Sequence, residues 1–278
     1  MAADAPDAAL KEMADTGLLW QIFPDLYQGV GMLQPASHHL DVFAHNLETL
    51  RQMGKIIADP DRFFPGRAPI INTYLTRKRK TIQLRLAALL HDLGKPISFK
   101  IRNNKRTFYN HDLAGAKMLA ATANRLKWSV IDRKTIALLI GQHMRPFHLL
   151  NSKLKAGITN KAYLKLIKAL GAELIGLFLL AMADSLAGRG PGKPAGMEEA
   201  LAVLFAETCA ANENIQSVLT RPLLLNGRDL IRLGQKPGPD FGRFFQELEI
   251  RQIDNPGMAE AEARQMAVDF FNPIDKNS

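Results

Sequence analysis

Four side chains capable of binding a metal lie where apolar helical patterning predicts burial. In LRLAALLHDLGKP, residues 84–96, His91 and Asp92 stand side by side in the last turn of an apolar helix, ahead of a stop at Gly94. In HHLDVFAHNLETL, His45 follows Val42 and Phe43 and precedes Leu47 and Leu50, at or beside the buried stripe of its helix. In LIGLFLLAMADSLA, Asp184 ends the most apolar helix of the chain. An uncompensated buried carboxylate costs several kcal/mol. No Lys or Arg lies between Lys168 and Arg189, so the charge compensating Asp184 must come from elsewhere in the fold or from a metal. Neighbouring residues on a helix diverge by about 100°, yet His91 and Asp92 can converge on an ion placed between their directions. His45, His91, Asp92 and Asp184 together would form a mixed nitrogen and oxygen site suited to Mn, Fe, Co, Ni or Zn, with Mg also admissible. Each has a plainer competitor: His45 pairing with Asp41 one turn earlier, His91 and Asp92 capping a helix end, and Asp184 as the polar edge of its helix.

Positioning such residues falls to helices, because nearly every segment carries helical apolar spacing. The expected fold class is all-α, with helices at about 7–19, 38–57, 80–93, 112–127, 132–144, 160–169, 171–187, 197–218, 227–233, 240–252 and 259–271. One exception is ISFKIRNNKRTFYNH, where Ile97, Phe99, Ile101 and Phe108 alternate around Asn103-Asn104 and predict a short β-hairpin. GRGPGKPAG, residues 188–196, reads as a linker, which gives an N-terminal lead-in over 1–37, a metal-site domain over 38–190 and a C-terminal helical subdomain over 191–278.

Composition narrows the setting. The chain has 278 residues, 47% of them hydrophobic, enough for one large core or two smaller ones. A single cysteine, Cys209, excludes an intramolecular disulfide and a cysteine-based zinc cluster, and fits a reducing cytoplasm. The start, MAADAPDAALKEMAD, is acidic where a signal peptide is basic, and the longest apolar run, Leu174 to Ala183, is about half a bilayer span, so no membrane is expected. A formal charge of +9 favours a polyanionic partner, although solvated cations give the same count. The basic run TRKRK at 76–80 reads first as a solvated helix start and second as a phosphate contact.

The order His, then His-Asp in HDLGK, then a distant Asp in ADSLA resembles the HD superfamily of metal-dependent phosphohydrolases. SHHLDVFAHNLETL, LAALLHDLGKP, FYNHDLAGAKML, GQHMRP and LLLNGRDLIRLGQKPGPDFGRFFQEL together resemble the HD-containing C-terminal half of bacterial tRNA nucleotidyltransferases and poly(A)-polymerase-like proteins. ALKEMADTGLLWQIFPDL also resembles the segment preceding the HD domain there. Nucleotidyl transfer in that family requires a separate αβ head with a Gly-Ser turn and an Asp-x-Asp strand, for which there is no room before His45. The Asp59-Pro60-Asp61 triplet sits in a loop context, so CCA addition is not expected of this chain alone. The resemblance implies an HD helical bundle, a divalent metal, and hydrolysis of phosphomonoesters or 2′,3′-cyclic phosphodiesters on nucleotides or RNA 3′ ends.

With that chemistry, Asp92 serves as ligand and catalytic group. His111 and His143 become candidates for a second metal, a phosphate contact or a proton donor, and Lys95 and Arg145 for gripping the phosphate. The plainer readings are a cap for His111, a core histidine for His143 and helix-dipole cations for Lys95 and Arg145. His38, His39 and His148 read as peripheral. In the C-terminal segment Asp229 and Asp240 fall near helix starts and Gly227, Gly234 and Gly238 in turns, so backbone N–H groups with Arg228, Arg232, Lys236 and Arg243 are expected to meet RNA, with tRNA as the implied partner. A small bundle with solvated cations is the competing reading. Two function classes follow: a metal-dependent phosphohydrolase, or a non-catalytic RNA-binding half that works with a separate nucleotidyltransferase chain.

Overall fold

In the computed structural model, which describes residue 1 and residues 6–272, the chain is almost wholly helical. The elements are α1 (Pro6–Asp15), α2 (Leu18–Ile22), α3 (Val42–Ala58), α4 (Pro60–Phe63), α5 (Ala68–Leu75), α6 (Lys80–Leu90), α7 (Lys95–Ser98), β1 (Lys100–Arg102), β2 (Lys105–Thr107), α8 (His111–Arg125), α9 (Val130–Gln142), α10 (Arg145–Ala156), α11 (Asn160–Leu170), α12 (Leu174–Ala187), α13 (Met197–Leu219), α14 (Gly227–Arg232), α15 (Pro239–Asp254) and α16 (Glu260–Phe271), with 3₁₀ turns at Pro24–Gly29 and Gly171–Glu173. The all-α expectation holds. The described elements include the expected hairpin: β1 pairs antiparallel with β2, Arg102 opposite Lys105, and Asn103 and Asn104 take φ of 49° and 57° as a tight two-residue turn demands. It is shorter than the alternating pattern implied, because Ile97 belongs to α7. The helix α10 escaped sequence reading, since RPFHLLNSKLKA is polar and basic on average and buries only Pro146, Leu149 and Leu150.

Two compact units form, one from the chain up to Gly157 with Leu170–Ala206, the other from Ile158–Ala169 with the chain from Glu207 onward. This division differs from the boundary expected at 190, and the glycine-rich stretch explains why. Gly190 N–H donates to Ser37 O and Gly192 N–H to Ala36 O, both at 2.9 Å, so the segment is stitched into the first unit. Backbone passes so close here that a Cβ on Gly190 would run into the Ala36 carbonyl. These glycines permit close approach instead of marking a linker.

The first unit is built around α12, whose side chains from Leu177 to Ala183 are all buried, packed against α3 and α6. Burying an apolar side chain of this size contributes about 1.5–3 kcal/mol. Ends are fixed locally: Asp41 caps α3 by accepting from Ala44 N at 2.7 Å, and Ser129 caps α9 by accepting from Asp132 N at 3.1 Å. The Asn160–Ala187 stretch is long and apolar enough to cross a membrane by composition alone, but 67% of its most apolar window is buried inside the protein. A 3₁₀ turn with Gly171 at φ +49° also interrupts it. In the second unit Leu225, Leu230, Phe244, Leu248, Ala263 and Ala267 form a separate core. Asn226 and Asp229 form a reciprocal capping box at the start of α14.

Candidate metal centre

Each cluster residue is delivered by an element end or an apolar helix face. His45 lies in the first turn of α3, and His91 and Asp92 follow α6 directly. His111 opens α8, His143 follows α9, and Asp184 lies near the end of α12. The turn after α6 packs onto α8 through glycines: a Cβ on Gly94 would collide with the His111 carbonyl, and Gly115 meets Gly94 from the other side.

Convergence is tight. His45 Nε2 stands 2.9 Å from Asp184 Oδ1 and 3.7 Å from Asp92 Oδ2, while His91 Nε2 is 3.3 Å from Asp92 Oδ2 and 3.7 Å from Asp184 Oδ1. His111 Nε2 lies 3.2 Å from Asp92 Oδ1 and His143 Nε2 3.8 Å from it. His91, His111 and His143 each donate Nδ1–H to the carbonyl three residues earlier, of Ala88, Phe108 and Ile140, at 2.9, 2.7 and 2.7 Å. That bond leaves the lone pair of each neutral imidazole on Nε2, the nitrogen facing Asp92. The Nε2 atoms of His111 and His143 are only 3.1 Å apart. Two facing lone pairs repel unless a proton or a metal ion lies between or beside them.

The residues fit a cation by a second test. His91 Nε2 is buried without a hydrogen-bond partner, which normally costs about 1–3 kcal/mol. Lys95 Nζ lies 2.5 Å from Asp92 Oδ2 and 2.5 Å from Gln34 Oε1, supplying one positive charge against the carboxylates of Asp92 and Asp184. Burial opposes charge throughout, yet Asp92 and Asp184 lift His91 to about 10. Against the same burial penalty, the neighbouring histidines, with Lys95 acting on Asp92, hold both carboxyls well below the usual range. Burial pushes His45 down, and lowers His143 to about 3 together with His111 and His91. Donor groups closing within 4.8 Å of one another include His45–His91–Asp92, His91–His143–Asp184 and Asp92–His111–His143.

The cluster forms the polar floor of a cavity of about 570 Å³, with Asp92, His111, His143 and Asp184 below and Pro35, Phe108, Phe147 and Met197 among its apolar walls. Six expected residues therefore meet at one place: His45, His91, Asp92, Asp184, His111 and His143. Lys95 joins them through Asp92 and also lines the cavity. Arg145 does not line the cavity, and its guanidinium donates to Gln142 Oε1 at 3.2 Å. Its place in the loop-to-helix turn directs it away, while Met144 and Phe147 face inward. Sequence reading missed His38 and His148, which line the cavity, and His38 closes within 4.8 Å of His45 and Asp184. Burial, Lys95 and His45 lower His38 to about 3. The doubled histidine just ahead of the Asp41 cap was the available signal.

In the second unit Arg228, Arg232, Lys236 and Arg243 are all exposed. Arg232 lies 3.4 Å from Asp229, and Arg243 pairs with Asp240. The N–H groups of Asn226 and Arg228, at the start of α14, are taken up by the capping box.

Known proteins resemble this chain in sequence. The HD domain family model matches residues 42–186, a span holding every cluster residue named above except His38. The A-adding tRNA nucleotidyltransferase of Deinococcus radiodurans is 31% identical over 260 residues, covering 91% of this chain and 52% of that protein. The CC-adding tRNA nucleotidyltransferase of Thermus thermophilus is 28% identical over 267 residues, with 94% and 52% covered. The multifunctional CCA protein of Methylococcus capsulatus is 26% identical over 261 residues, with 91% and 51% covered. The chain thus spans about half the length of the curated relatives it matches. With its histidine and aspartate donors gathered within the matched span, this chain belongs to the HD domain family.

Proposed function

We propose that the chain is a metal-dependent phosphohydrolase that cleaves phosphomonoesters or 2′,3′-cyclic phosphodiesters on nucleotides or RNA 3′ ends. One observation carries this reading: a buried donor cluster, with His91 Nε2 lacking a hydrogen-bond partner, forms the floor of a cavity of nucleotide size. His45, His91, Asp92 and Asp184 would hold a divalent transition metal, with Mn, Ni, Co, Fe or Zn suiting the donors and Mg admissible. When bound, such an ion lowers the pKa of water and neutralises a phosphate oxygen. Lys95 keeps Asp92 ionised and oriented instead of gripping phosphate freely. His111 and His143, exposed to the same cavity, are placed to hold a second ion or to contact the phosphate. The apolar walls exclude water from the base or ribose of the substrate.

Assays on 2′,3′-cyclic AMP and linear nucleoside monophosphates, before and after EDTA treatment and with each divalent ion restored, test the proposal. Metal-dependent release of a nucleoside monophosphate or of phosphate is expected. No hydrolysis with any ion on any substrate would contradict it. A second reading, contact with tRNA through Arg228, Arg232, Lys236 and Arg243, is favoured by relatives whose names describe tRNA nucleotidyltransferases and by the exposure of these four cations.

A further inference from the structure

The turn carrying His38 stands apart from the other histidine supports. Where His91, His111 and His143 face carbonyls through Nδ1, His38 Nδ1 faces the Ser37 hydroxyl at 3.0 Å. A hydroxyl can donate to that nitrogen, and in that tautomer the ring proton lies on Nε2, so that His38 is a donor where the others present lone pairs. Its position differs as well. The donor groups closing within 4.8 Å include His38 with His45 and Asp184, but His38 is absent from the groups that contain His91 or Asp92. It therefore stands at the cavity edge of the cluster, on the side of His45 and Asp184.

Phosphate at that edge needs hydrogen-bond donors, and the cations lining the cavity are already engaged. Lys95 is held by Asp92 and Gln34, and Lys193 by Glu198 and the Ser185 carbonyl. The His38 turn is also rigidly supported. His38 N–H donates to Pro35 O, and the glycine-rich segment clamps Ala36 and Ser37 through Gly192 and Gly190. Arg189 N–H reaches His39 Nδ1 at 3.3 Å, securing the next residue.

We propose that His38 donates Nε2–H to a non-bridging phosphate oxygen of the substrate, and that the 188–196 segment is a brace that sets its position. The proposal rests on the phosphohydrolase reading of the same cavity. It gives the glycine-rich segment a role: Gly190 and Gly192 are needed because only bare backbone fits against Ala36 and Ser37.

The test measures binding of inorganic phosphate to the metal-loaded full chain by titration calorimetry, together with metal content by mass spectrometry. His38→Ala is expected to retain metal and bind phosphate about 10- to 100-fold more weakly, the loss of one hydrogen bond to a charged group. His38→Gln, whose side-chain amide can donate, should recover part of the affinity. Gly190→Ala should weaken phosphate binding with metal retained, since its methyl displaces the Ala36 turn. Unchanged phosphate affinity in His38→Ala would overturn the proposal, and so would loss of its metal, which would make His38 a ligand. Circular dichroism of each variant separates these outcomes from misfolding, and His38→Gln carries the test if His38→Ala does not fold. A wild-type protein that binds no metal would sink the phosphohydrolase reading itself, whereas metal-loaded protein with unaltered His38→Ala binding would sink only this inference.

Discussion

A hydrogen bond on the far side of each imidazole decides which nitrogen faces the cluster. The carbonyls of Ala88, Phe108 and Ile140 are each three residues before the histidine they hold, Ala88 and Ile140 in the last turns of α6 and α9, where carbonyls lack helical partners, and Phe108 in the segment leading into α8. Helix termination thus supplies orientation to His91 and His143 at no extra cost in residues. This geometry also explains what the sequence could reveal. His45, His91, Asp92 and Asp184 interrupt apolar periodicity, and a polar residue in a buried stripe signals its own burial. His111 and His143 follow the same logic at helix ends. Arg145 and His38 show its limit, because both lie in or beside turns, where side-chain direction depends on φ and ψ and not on spacing. The doubled His38-His39 gave no periodic signal, and only the Ser37 bond and the brace reveal which way His38 points.

Helices in this unit are registered by a few buried polar clamps as well as by apolar packing. Asp132, in the first turn of α9, accepts from Gln83 Nε2 at 2.8 Å and Arg79 Nε at 3.1 Å, and from Ser129 Oγ at 2.9 Å, linking α9 to the start of α6. Burial opposes its charge, but these donors depress its pKa. A depressed carboxyl pKa means that the folded chain binds fewer protons. Its stabilisation is therefore complete above the ordinary value of about 4 and is lost as pH falls through the folded value. Asp132→Ala should lower stability by about 1–3 kcal/mol at pH 7, measured by urea unfolding, with the gap to wild type narrowing below about pH 4. A gap independent of pH would show that the clamp acts by shape alone. TRKRK, read as a solvated run, contributes two structural cations: Arg79 to Asp132, and Lys80 to Glu173 at 2.5 Å, so its charge is partly spent on the fold. Long amphipathic helices were legible because burial repeats along them, whereas α10 buries only Pro146, Leu149 and Leu150 and the short turns depend on tertiary neighbours.

Across the whole molecule, charge and the glycine-rich segment were the features hardest to read from sequence. A composition of Gly and Pro is the same for a flexible linker and for a strand of backbone pressed against another, and only contact with Ala36 and Ser37 distinguishes them. Net charge of +9 likewise does not say which cations face a partner. If Arg228, Lys236 and Arg243 meet an RNA backbone, replacing all three with Ala should weaken binding to structured RNA. It should also reduce the salt slope by about 2–3, since each phosphate contact contributes about 0.7–0.9. Hydrolysis of a cyclic mononucleotide should be unaltered, because these residues belong to the second unit and the donor cluster to the first. Equal RNA affinity and slope in the variant would leave those cations as solvated surface. The central claim concerns the cluster itself, and metal content measured beside hydrolysis in His91→Ala and Asp92→Ala tests it most directly. The account predicts that both variants lose bound metal and nucleotide hydrolysis together while keeping wild-type helical content; full metal occupancy with undiminished hydrolysis in either variant would contradict it.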